Sequence, residues 1–105
     1  MRILTHTKVV AYAAQNASAA LSLATWSKLT RAAQWTCSGD VLQTFPSSTV
    51  LNGERVVFKI AGNAFRLIAS VHYPSRGVWI KFIGTHAEYD KIDALTVDQY
   101  RNPRP

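Results

Sequence analysis

Residues 55–84 read RVVFKIAGNAFRLIASVHYPSRGVWIKFIG: three strand-length apolar runs separated by two short breaks. Side chains alternate along a strand. Val56, Phe58 and Ile60 therefore share one face, as do Phe65, Leu67, Ala69 and Val71, and Val78, Ile80 and Phe82. Gly62-Asn63 is a two-residue hairpin signal, and Pro74–Gly77 suits a four-residue turn. The reading is an antiparallel sheet over 55–84 with one apolar face. The opposite face carries Lys59, Arg66, Ser70, His72, Trp79 and Lys81. The turns also set a register. The first puts Lys59 opposite Arg66; the second puts Tyr73 opposite Val78, Ser70 opposite Lys81 and Arg66 opposite Thr85.

Upstream, residues 1–36 are mainly helical. RILT (2–5) is a short strand candidate, and residues 7–35 are rich in Ala and Leu without Gly or Pro. Asn16–Ser18 breaks this stretch into two helices, with Ser18 as the expected N-cap of the second. Leu23, Trp26, Leu29 and Ala33 form its apolar stripe, and Trp26 and Trp35 are read as core. Ser38 caps a short helix through Thr44, ended by FPSS (45–48). Downstream, Thr85-His86-Ala87-Glu88 matches a capping box and opens a short helix over 86–94. Residues 100–105 are read as a frayed tail. The chain is thus one α+β domain, 1–105, with a small antiparallel sheet packed on two N-terminal helices and a short C-terminal helix.

Twelve Lys and Arg against six Asp and Glu give a net charge of +6 over 105 residues. From Arg55 to Lys81 there are five basic residues and no acid, which points to an anionic partner, nucleic acid first. The lone Cys37 excludes an internal disulfide. The three histidines His6, His72 and His86 lie far apart, so no metal and no cofactor is expected. No stretch reaches the ~18 apolar residues a membrane span needs. The first apolar run is short and interrupted by Gln15-Asn16, so it is not read as a leader. A cytoplasmic, soluble protein with no membrane contact is the expectation.

The predicted register delivers Thr85-His86 beside Arg66. Cleaving RNA without a metal needs a base for the 2′-hydroxyl proton, cations for the transition-state charge, and an acid for the leaving 5′-oxygen. His86 is the candidate base or acid. Arg66, with Lys59 or Lys81, is the candidate phosphate clamp. Tyr89, at i+3 from His86, is placed to orient the ribose, stack a base or assist proton transfer. Arg55, Asn63, Arg76 and Lys91 are further candidates for contacting RNA or phosphate.

The combination VVFKIAGNAFRLIASVHY…GVWIKFIGTHAEYDKID, with FPSS upstream, closely resembles the HigB toxins of bacterial toxin–antitoxin systems, within the RelE-like superfamily of messenger-RNA endonucleases. The likeness covers residues 35–93; the first 34 residues are similar only as helices. It implies the RelE-like toxin fold and cleavage of mRNA in the ribosomal decoding site, with 16S rRNA contacts. It also implies a HigA-type helix-turn-helix antitoxin that binds operator DNA. Arg66 matches the family's GNxxR arginine, His86 and Tyr89 match THxEYD, and Lys81 takes a basic place before that motif. These four are the catalytic candidates. Lys59 departs from the pattern, where asparagine is frequent, so phosphate contact is its expected role. The competing readings are a non-catalytic nucleic-acid-binding module and an inactive toxin homologue acting in an antitoxin–operator complex.

Overall fold

The computed structural model describes residues 1–100. The elements run β1 (Arg2–Ile3), α1 (His6–Gln15), α2 (Ala17–Ala32), α3 (Ser38–Thr44), β2 (Thr49–Val50), β3 (Arg55–Ile60), β4 (Phe65–His72), β5 (Gly77–Thr85) and α4 (His86–Tyr89). The architecture is α+β, with a five-stranded sheet in the order β1-β5-β4-β3-β2. It is mixed rather than wholly antiparallel. β1 runs parallel to β5, with Arg2 N–H donating to Arg76 O at 2.7 Å and Leu4 N–H to Val78 O at 2.9 Å.

One face of the sheet packs on the helices. Trp26, Trp35 and Phe58 are fully buried there, with Phe58 edge-on to Trp26 at 5.4 Å and to Phe45 at 5.2 Å. Trp35 Nε1 donates to Thr44 Oγ1 at 3.0 Å, so its polar atom is satisfied inside the core. The stripe of α2 is Ala19, Leu23, Trp26 and Thr30. Leu29, assigned to that stripe from spacing, is 42% exposed. Asn16, not Ser18, stands at the head of α2, and its Nδ2 donates to Tyr12 O at 3.0 Å. Tyr100 packs half-buried on the core with Lys8 over its ring, so it is not frayed; residues 101–105 of that expected tail lie outside the described residues.

The first hairpin has the predicted register, with Lys59 opposite Arg66 and Ile60 opposite Phe65. Its left-handed residues are Ala61 (φ 53°) and Gly62 (φ 72°), and the Ala61 N–H is held by Ser22 Oγ at 2.8 Å. The second hairpin departs from prediction. Its turn closes between Tyr73 and Arg76, so His72 pairs with Gly77 and Ser70 with Trp79. A bulge then shifts the ladder between Ile68 and Ala69, and Lys81 is the residue of β5 left out of it. An extra residue reverses the alternation beyond it. Val78 and Ile80 face the helices, then Ile83 does, and Phe82 turns to the other side.

That other side has its own small core. Val57, Ile68 and Phe82 are buried beneath Leu51, Tyr89, Ile92, Ala94 and Val97. The helix expected over 86–94 is therefore one turn, and the chain beyond it becomes a strap across the sheet. Arg55 ties this strap down, its Nη1 donating to Ala94 O at 3.0 Å and Val97 O at 2.7 Å. Gln99 is clamped by two more bonds, N–H to Lys81 O at 2.8 Å and Oε1 from Ile83 N–H at 3.0 Å.

Candidate functional site

Three segments meet at one end of the strap-covered face: the β3–β4 turn, the start of β4, and the β5–α4 junction. The junction is built by local chemistry. Thr85 Oγ1 accepts from Glu88 N–H at 3.1 Å, and Glu88 Oε1 accepts from Thr85 N–H at 2.8 Å, the predicted capping box. His86 N–H donates to Ala64 O at 2.9 Å, which pins the junction to the hairpin turn. Arg66 lies opposite Gly84 rather than the predicted Thr85: the earlier turn moves the register by two residues, and the bulge restores one. Gly84 is required by close approach: a Cβ there would stand 2.5 Å from the Phe82 ring and 3.1 Å from Glu88 Oε1.

Arg66 is fixed from two sides. Its Nε donates to Asn63 Oδ1 at 2.9 Å, and its guanidinium lies 4.9 Å from the centre of the Tyr89 ring. A cation over an aromatic face is attracted by the ring quadrupole. Tyr89 in turn sits edge-on to Phe82 at 6.5 Å. The bulge that turns Phe82 outward thus also supports the tyrosine. His86 Nδ1 lies 3.1 Å from Asp90 Oδ2, with the two side chains 43% and 60% exposed. When Nδ1–H donates to that carboxylate, the lone pair is on Nε2. Asp90 was not among the sequence candidates, although its i+4 spacing from His86 was the signal for it.

The remaining predicted residues divide. Lys59 is exposed and directly across from Arg66, so two cations share this end of the face. Their mutual repulsion is relieved by an anion between them. Lys91 is exposed one residue past the His86–Asp90 pair. Lys81 lies in the bulge with Nζ 3.4 Å from Asp98 Oδ2. Two candidates are corrected. Arg55 is only 9% exposed, and its guanidinium bonds strap carbonyls instead of reaching outward. Arg76 sits in the opposite turn, about 26 Å from Gly84 by strand rise, so it belongs to the far end of the sheet. Among the described residues no group of three or more His, Cys, Asp or Glu side chains gathers as a metal site would require. No helix among them is long and apolar enough to cross a membrane.

This arrangement can hold a phosphate, present an oriented imidazole and offer a phenol. Residues 19–92 match the family model of the HigB toxin, described as the RelE-like toxic component of a toxin–antitoxin system. The match begins inside α2 and takes in all of the sheet except β1, together with α4. The chain belongs to this family, and an antitoxin partner follows from that membership. No curated protein matches the sequence.

Proposed function

We propose that this toxin is an endoribonuclease that cleaves messenger RNA on the ribosome, in the decoding site, using side chains for all three catalytic functions. The observation that carries the proposal is the convergence of Arg66, held against Tyr89 at 4.9 Å, with the His86–Asp90 pair at 3.1 Å. Arg66, His86 and Asp90 belong to neither core cluster, and Tyr89 alone among them also covers the small core.

In this mechanism His86 Nε2 takes the proton from the ribose 2′-hydroxyl while Asp90 holds the imidazole by Nδ1. The 2′-oxygen attacks phosphorus, and the bond to the 5′-oxygen breaks. Arg66 and Lys59 stabilise the extra negative charge, and Asn63 sets the direction of Arg66. In this reading the Tyr89 hydroxyl passes its proton to the leaving 5′-oxygen. Lys81 enters the phosphate set by exchanging Asp98 for phosphate, one anion for another. Lys91 contacts backbone at the edge. The products are a 2′,3′-cyclic phosphate and a 5′-hydroxyl. A HigA-type helix-turn-helix antitoxin would silence the toxin and carry it to operator DNA.

The test is a translation reaction dosed with the purified toxin, with new 5′ ends mapped on the message beside an RNA-only control. Cuts that require ribosomes support the full reading. Cuts on free RNA keep the nuclease and remove the ribosome from it. RNA binding without cuts replaces the proposal with a non-catalytic binding module.

A further inference from the structure

On the helical layer, away from the candidate site, α1 and α2 double back at Asn16 and leave an open trough of about 670 Å³. Its cause is legible in the side chains. Ala13, Ala20 and Ala24 line it, and methyl groups are too short to fill the space between two helices. From Ala20 to Arg31 the trough follows α2 for eleven residues, about 17 Å at the helical rise, or roughly three turns. Val10 lines it while 55% exposed, an apolar side chain left in water. Ser27 also lines it, and its Oγ is buried without a hydrogen-bond partner. Charge at the trough has one sign: Lys28 and Arg31 stand along it, and no carboxylate lines it.

We propose that this trough is the docking site for an acidic amphipathic helix of the antitoxin partner. The apolar stripe of that helix lies on the alanine floor against Val10, and its flanking carboxylates meet Lys28 and Arg31. Three turns of exposed apolar channel suit a helix laid in a groove. The two cations select an acidic partner and oppose a second copy of this chain, whose net charge is +6. The inference rests on the chain's family membership and is independent of the RNA-cleavage proposal.

The experiment is calorimetric titration of the purified toxin with its cognate antitoxin, for wild type, Val10→Glu and the double variant Lys28→Glu/Arg31→Glu. Each substitution is at an exposed position, and thermal unfolding of the free toxin checks that it folds. Each variant is expected to weaken the complex at least about tenfold, with an unchanged unfolding temperature. Hydrogen exchange of the wild-type complex should protect α1 and α2. Affinities within about twofold of wild type for both variants, or protection confined to the strap-covered face, would overturn the proposal. So would a wild-type homodimer that Val10→Glu makes monomeric. A toxin that binds antitoxin through the trough but leaves RNA intact would keep this inference and defeat only the nuclease reading.

Discussion

Replacing Arg55 with Met separates a structural arginine from an RNA-binding one. Methionine keeps most of the apolar stem and removes the guanidinium, so two strap carbonyls, Ala94 O and Val97 O, lose their donor. A hydrogen bond from a charged group contributes about 1.5–3 kcal/mol. Both carbonyls regain water if the strap lifts, so the net loss is about 2–3 kcal/mol rather than the full sum. At about 1.4 kcal/mol per decade, that raises local opening of the strap roughly 30- to 140-fold. The amides to follow are Ile83, Val97 and Gln99, whose partners are Gln99 Oε1, Asp93 O and Lys81 O. Native-state hydrogen exchange should speed at these three by that factor and leave the β3–β4 ladder near its wild-type rate. RNA affinity should change only as far as the strap supports Tyr89. Unchanged exchange at the three amides together with a sharp fall in RNA affinity would refute the reasoning and return Arg55 to the phosphate set.

Gly84→Ala places a methyl 2.5 Å from the Phe82 ring, so denaturant unfolding should report a loss of about 1–3 kcal/mol; a neutral result would mean that Phe82 is free to move. Asp90→Asn should lower single-turnover RNA cleavage about tenfold without weakening RNA binding, because it disturbs only the orientation of His86; equal cleavage would remove Asp90 from the mechanism. Burial pushes the Tyr100 phenol up from 10.0 to about 12. Its folded-state value lies above its unfolded one, so its contribution to stability is full below pH 10.0 and fades as pH rises to about 12. Ultraviolet titration of the phenolate should show that tyrosine ionising late; ordinary titration would mean that Tyr100 leaves the core.

The parts of the fold that local chemistry decides were readable. Gly62 fixes the first turn, and with it the facing of Lys59 and Arg66. The Thr85–Glu88 capping box needs no tertiary context. The second hairpin was misread at two points: its turn is Tyr73–Arg76 rather than Pro74–Gly77, and nothing in VWIKFIG marks a bulge. Lys81 reads as an ordinary outward residue, yet its omission from the ladder sends Phe82 to the opposite face. The strap was misread for a related reason. Val57 and Ile68 are apolar residues on the face taken to be polar, and they require a cover. Residues 91–99 supply it without helical or strand periodicity. Arg55 then looked like one more cation of a basic block, since sequence does not reveal that two carbonyls from about forty residues later reach its guanidinium. Asp90 was visible by spacing beside His86, and only the 3.1 Å contact gives it a role.

The most direct test of the central claim is end-group analysis of RNA cut by wild type and by His86→Ala, with a matched substrate carrying a single 2′-deoxy sugar at the cut position. The account predicts a 2′,3′-cyclic phosphate and a 5′-hydroxyl from the wild type. It also predicts no cut at the deoxy position, and a rate at least about a hundredfold lower for His86→Ala at unchanged RNA affinity. A 5′-phosphate product, a cut at the deoxy sugar, or wild-type cleavage by His86→Ala would contradict it.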